Sequence, residues 1–163
     1  MAIKRIIYLL LFACAFTNNI AAQTSTTSVK PGTITKVTKF KPPAVKTFLG
    51  RNTQIADVTV EEANQLINLP LKITDDKKNI YTVDSYQFMY KKKSVIENEQ
   101  TGKKEIAFST VSDLFKTTPL PAIWRNNIGG TVQKDEELYF FDIIVKDKLD
   151  RRFCAPELKI RVR

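Results

Sequence analysis

Between Ile80 and Tyr90 the side chains change character with a period of two, and that period commits the segment to an extended strand. Tyr81, Val83, Ser85, Gln87 and Met89 fall on one face. Ile80, Thr82, Asp84, Tyr86, Phe88 and Tyr90 fall on the other, and the aromatic weight of this second set turns it toward the core. A second run, Leu138 to Val145, is apolar except for Asp142 and predicts a central strand covered on both faces. At the end of the chain Leu158, Ile160 and Val162 alternate with Lys159, Arg161 and Arg163, giving a last strand with one solvent face. Segments of this kind must bury sheets against one another.

The remaining elements are shorter. Thr53 to Thr59 alternates loosely and reads as a strand. Thr59-Val60-Glu61-Glu62 fits a capping box, Ala63, Leu66 and Ile67 recur at helical spacing, and Pro70 ends the run. Leu71 to Thr74 is a strand turned by Asp75 to Asn79. Lys91-Lys92-Lys93 reads as the polar end of a strand that discourages edge pairing. Glu97 to Lys103 turns around Gly102, and Glu105 to Ser109 resumes as a strand. Ser109 or Thr110 then caps a predicted short helix through Leu114 and Phe115. Pro119 and Pro121 open a further helical stretch around Ala122-Ile123-Trp124, closed by Gly129-Gly130. Residues 52–163 therefore predict one mainly β domain, sandwich-like and antiparallel, with two or three short helices.

Residues 1–22 have the layout of a secretory signal peptide. Lys4 and Arg5 precede an apolar stretch from Ile6 to Phe16, and small residues lead to a cut between Ala22 and Gln23. The apolar stretch is shorter than the roughly 20 residues a membrane span needs, so the mature chain is expected to carry no span. Leu11-Phe12-Ala13-Cys14 loosely matches a lipobox, which makes lipidation at Cys14 the competing reading. The periplasm is the expected destination, with extracellular release or a lipid anchor as the alternatives. Residues 23–51 are rich in Thr, Ser and Pro and carry Lys30, Lys36, Lys39, Lys41, Lys46 and Arg51 without a single acid. Their spacing reads as a solvated basic tether or linker rather than a binding patch. All 17 acidic residues lie beyond it. The net charge of +9 thus belongs largely to the N-terminal part. A nearly neutral domain argues against nucleic acid as a partner.

The chain has no histidine, which excludes Ser-His-Asp and Cys-His triads and HExxH zinc chemistry within it. Its two cysteines, Cys14 and Cys154, allow no zinc ribbon or disulfide framework. Cys154, between Phe153 and Ala155, reads as a small buried hydrophobe. Asp75-Asp76 lacks further oxygen ligands at calcium-loop spacing. Glu61-Glu62 serves the helix start, and Asp135-Glu136-Glu137 reads as a solvated turn. No catalytic residue, metal or cofactor follows from these patterns.

Three segments resemble a known family. Leu138 to Lys146, introduced by Gly129-Gly130 and a polar turn, looks like the penultimate strand of the C-terminal domain of GldM, from the Bacteroidetes gliding-motility and type IX secretion machinery. Ala155-Pro156-Glu157-Leu158-Lys159-Ile160 is similar to that domain's last strand. Tyr81-Thr82-Val83-Asp84-Ser85-Tyr86 resembles its internal strand. The resemblance covers about residues 60–163 and implies a periplasmic β domain that contacts partner proteins, with no catalytic residues. The family's transmembrane and long periplasmic regions have no counterpart in this sequence, where a signal peptide and basic arm stand instead.

Two functions are therefore expected. The first is an exported, non-enzymatic interaction module for other cell-envelope proteins, possessing an open sheet edge at Leu158, Lys159, Ile160, Arg161 and Val162. The second is a secreted small-molecule or glycan binder using Trp124 with Tyr81, Tyr86, Tyr90 and Tyr139.

Overall fold

The computed structural model describes residues 39–163. The expected signal peptide and its cut, Cys14 and the expected arm up to residue 38 lie outside the described residues. The elements in chain order are β1 (Val45–Leu49), β2 (Asn52–Thr53), β3 (Ile55–Val58), α1 (Val60–Leu66), β4 (Leu71–Asp75) and β5 (Ile80–Glu97). They continue with β6 (Lys104–Phe115), α2 (Ala122–Ile128), β7 (Glu137–Lys146), β8 (Arg152–Ala155) and β9 (Leu158–Val162). The fold is mainly β and sandwich-like, as the patterning predicts. Its strand order is β2-β1-β4-β5-β7-β9-β3, with β6 beside β5 and β8 beside β7. All pairings are antiparallel except β3 with β9, which is parallel.

The strong alternation of β5 is real but breaks once. Tyr86, Phe88 and Tyr90 are buried, whereas toward the start of the strand Tyr81 and Val83 pack on the core and Ile80 is exposed. The register explains the switch of phase. Gln87 pairs with Phe141, Ser85 with Ile144 and Val83 with Val145, so β7 gains a residue around Asp142 and β5 gains one at Asp84. Asp142 has φ 47°, a left-handed conformation that Asp accepts more readily than most residues. The two bulges cancel, and the core faces of both strands stay together: Leu138, Phe140, Ile143 and Val145 are buried. The intervening Tyr139, Phe141 and Ile144 are only half-buried, so β7 is covered on one face and not on both.

The core centres on Phe88, whose ring lies 4.9 Å from Phe140 and edge-on to Trp124 at 5.6 Å. Around it close Tyr86, Leu138, Leu158 and Ile160, all fully buried. The predicted capping box is present: the Glu62 N–H donates to Thr59 Oγ1 at 3.2 Å, and the Thr59 N–H donates to Glu62 Oε2 at 3.3 Å. The predicted turn after β4 is built on Asp75, whose carboxylate accepts from the backbone of Lys77 and Asn79, both at 2.9 Å.

Two expectations are corrected. Residues 45–49, assigned by composition to the basic arm, form β1, which pairs along its whole length with β4 and buries Val45, Thr47 and Leu49. The ordered domain therefore begins near Phe40, whose ring packs against Phe153. The predicted helix from Ser109 to Phe115 is instead the second half of β6. β-Branched Thr110 and Val111 favour a strand, and continuous pairing with β5 outweighs the local cap signal.

Candidate functional site

The closing strand does not present an open edge. β9 lies between β7, antiparallel, and β3, parallel, so its backbone is paired on both sides. Leu158, Ile160 and Val162 are buried, and Lys159 and Arg161 point outward from an interior strand. The edge expected at Leu158, Lys159, Ile160, Arg161 and Val162 is thus closed by a strand from the other end of the domain.

The aromatic candidates also separate. Trp124 stands edge-on to Phe88 and Phe115 and anchors α2 to the core. Tyr86 and Tyr90 are buried. The Tyr86 hydroxyl donates to the Thr117 carbonyl at 3.0 Å, and the Tyr81 hydroxyl donates to Asp75 Oδ2 at 3.0 Å. Tyr139 alone stays on the outer sheet face, stacked on Phe141 at 4.9 Å with Lys159 Nζ over its ring. Its hydroxyl donates to Glu157, and that bond raises its pKa to about 12. Trp124 and Tyr90 share an open pocket of about 310 Å³ with Lys92, Val111, Asn127 and Ile128, and Tyr81, Tyr86 and Tyr139 do not line it. Cys154 is exposed, because Phe153 takes the inward position on β8. Among the described residues no His, Cys, Asp and Glu cluster could hold a metal, and no helix is long and apolar enough to cross a membrane.

The long open edge is β6. It pairs with β5 from Tyr86↔Phe115 to Glu97↔Lys104 and, among the described residues, has no strand on its other side. β7 accompanies β5 only as far as Lys91↔Glu137, so Lys92–Glu97 and their partners on β6 extend beyond it as a two-stranded arm. The arm and the adjoining edge are rich in apolar side chains. Val95 is 65% exposed and Ile106 62%, and Ile96, Phe108, Val111 and Leu114 are exposed as well. From Ile106 to Ser112 the strand has no charge, proline or glycine, the devices that normally protect an edge.

The direction of the free groups follows from one contact. The Lys93 N–H donates to Glu136 Oε1 at 2.9 Å, on the side of β5 away from β6. Lys93↔Phe108 is therefore a non-hydrogen-bonded pair of the antiparallel ladder. By alternation Lys104, Ile106, Phe108, Thr110, Ser112 and Leu114 turn their N–H and C=O groups to the open side, where the Leu114 N–H donates to Asp113 Oδ1 at 2.8 Å.

The root of the arm is held by polar groups. Glu136, fully buried, accepts from the Lys93 N–H, from the Gln133 N–H at 2.9 Å and from the Tyr90 hydroxyl. Burial and this bond push the Tyr90 phenol well above its usual pKa. Lys93 Nζ meets Asp135 at 2.8 Å and holds its carboxyl below the ordinary range. The tri-lysine run and the acidic tripeptide are thus partners: Lys91 also meets Glu137, at 3.5 Å. The sequence patterns missed this edge. The readable signal was the uncharged alternation of Ile106, Phe108 and Thr110.

Comparison of the chain with protein-family models and with curated proteins finds no match. The resemblance to the GldM C-terminal domain rests on the strands quoted for it.

Proposed function

We propose that the protein is a non-enzymatic interaction module that captures partners by adding an extended segment to its own sheet. The observation that carries this reading is the β6 edge, whose outward backbone groups from Lys104 to Ser112 pair with no strand among the described residues and whose flanking side chains are exposed and apolar. Export to the periplasm, and an accessory place in gliding motility or type IX secretion, belong to the same proposal. They draw on the N-terminal layout and on the family resemblance.

A proline at Thr110 tests the reading. Thr110 turns its N–H outward, so Thr110→Pro removes a docking donor and leaves the ladder to β5 intact. Affinity purification from cell envelope should lose its partners with Thr110→Pro while the thermal transition stays near wild type. Retention of every partner by the folded variant refutes the reading. The Tyr139–Phe141 stack favours a second reading, a flat aromatic platform for a sugar ring. That reading expects Tyr139→Ala to abolish glycan retention and Thr110→Pro to preserve it.

A further inference from the structure

We infer that the occupant of the β6 edge is a second copy of this chain, paired antiparallel about a twofold axis at Phe108. The inference rests on the reading of β6 as an open pairing edge and adds the identity of the strand that fills it.

A twofold axis perpendicular to a sheet joins two identical edge strands in antiparallel pairing, with one residue facing its own counterpart. The registers that keep most of β6 paired centre on Phe108, Ser109, Thr110 or Val111. Charge discriminates among them. Centring on Ser109 sets Glu105 opposite Asp113 of the other copy, twice. Centring on Thr110 sets Lys104 opposite Lys116, again twice. Centring on Val111 opposes no charges at all. Only the Phe108 register faces Lys103 with Asp113 of the other copy, at both ends of the junction. Opposite charges directly across a ladder stabilise it, and like charges destabilise it.

Apolar contacts and space agree with the same register. Phe108 would face Phe108 of the other copy, with Ile106 diagonal to it and Val95 beside Ile106 on β5. This gathers three exposed apolar residues of each copy into one cluster. Phe108 pairs with Lys93, within the part of the hairpin that extends past β7, so the axis lies on the arm. Thr110 and Val111 instead pair with Lys91 and Tyr90, which β7 already flanks. Phe108 also turns its N–H and C=O outward, so the central pair exchanges both hydrogen bonds. The joined edges form one sheet running through both copies and leave neither β6 unpaired.

The test uses the full chain. Sedimentation velocity should show a concentration-dependent monomer–dimer equilibrium. Lys103→Glu should weaken it at least about tenfold, since two opposite-charge pairs across the junction become like-charge pairs. Asp113→Lys should do the same, and the double reversal Lys103→Glu/Asp113→Lys should restore wild-type association. In a Cys14→Ser/Cys154→Ser background, Phe108→Cys should oxidise to a covalent dimer. Thr110→Cys should not, because its counterpart would be roughly 13 Å away, beyond disulfide reach. A wild-type chain that stays monomeric at the highest attainable concentration overturns the inference. So does a dimer that ignores both charge reversals, or one that cross-links through Thr110→Cys and not Phe108→Cys. If the chain is monomeric yet Thr110→Pro still loses its envelope partners, self-pairing fails while the open-edge reading stands. If the chain dimerises as described and Thr110→Pro keeps every envelope partner, β6 pairs only with its own copy and the capture of other proteins at this edge is refuted.

Discussion

Glu136 takes the place of a missing strand, and replacing it with glutamine isolates that role. Its carboxylate offers only acceptors to three donors: the Tyr90 hydroxyl, the Lys93 N–H and the Gln133 N–H. Glutamine has the same shape but one oxygen. If that oxygen keeps Tyr90 and Gln133, the amide NH2 points at the Lys93 N–H. If it keeps Lys93, the NH2 points at Gln133. Either way one charge-assisted bond, worth about 1.5–3 kcal/mol, is lost, and buried donors face each other at a further cost of about 1–3 kcal/mol. Glu136→Gln should therefore destabilise by about 3 kcal/mol, a large share of the roughly 5–15 kcal/mol of a typical domain. Tyr90→Phe removes one donor without stranding another and should cost less, about 1–2 kcal/mol. Urea denaturation by circular dichroism reads both, with an expected midpoint shift of about 1–2 M for Glu136→Gln. A shift within error for Glu136→Gln, or one smaller than for Tyr90→Phe, would refute the account of Glu136 as the acceptor that anchors the arm.

Three further outcomes are expected. Ile143→Ala should cost about 2–5 kcal/mol in chemical denaturation, because Ile143 is buried beside the β7 bulge. A chain beginning at Asn52 should melt well below one beginning at Lys39, since it lacks β1 and uncovers the edge of β4; equal melting temperatures would show that β1 is dispensable. Acid should destabilise the fold. Asp84 is held below the usual carboxylate range chiefly by its hydrogen bond from Lys146, and Asp135 by that from Lys93. Carboxyls depressed in the folded state contribute stability above their unfolded pKa, near 3.9, and lose it as pH falls through the folded values. Asp84→Asn should flatten the stability profile below about pH 4, and an unchanged profile would remove Asp84 from the account.

Local patterning reached some of this fold and stopped at long-range pairing. Tyr86, Phe88 and Tyr90 were legible as core because period two is a short-range signal. The bulge was not legible: unbroken alternation put Ile80, Thr82 and Asp84 on the core face, where Tyr81 and Val83 belong, because the extra residue is set by pairing with β7. The capping box of Thr59 and Glu62 involves neighbours only, and it formed. Ser109 and Thr110 resemble a helix start equally well, but twelve residues of pairing with β5 decide that segment. β1 sits among one-sign charges and prolines and owes its order to β4. The end of the chain resembled the end of a sheet, yet β3 covers β9 in parallel from a hundred residues away. That placement is set by topology and moved the candidate site from β9 to β6.

The paired bulges bear on how the length of this domain can vary. Deleting Asp84 alone sets Val83 two positions from Tyr86, keeps Tyr81 and Val83 on the core face, and leaves the extra residue of β7 as a single unmatched bulge. Deleting Asp142 alone likewise keeps Ile143 and Val145 on the face of Phe140 and leaves the bulge at Asp84 unmatched. Deleting both joins Gln87↔Phe141, Tyr86↔Ile143, Ser85↔Ile144 and Val83↔Val145 into one unbroken ladder, with every core side chain on its original face. Either deletion alone costs the local match of two opposed bulges but not the core, so this stretch of the sheet should tolerate a change of one residue in either strand, and of one in both with a regular ladder as the result.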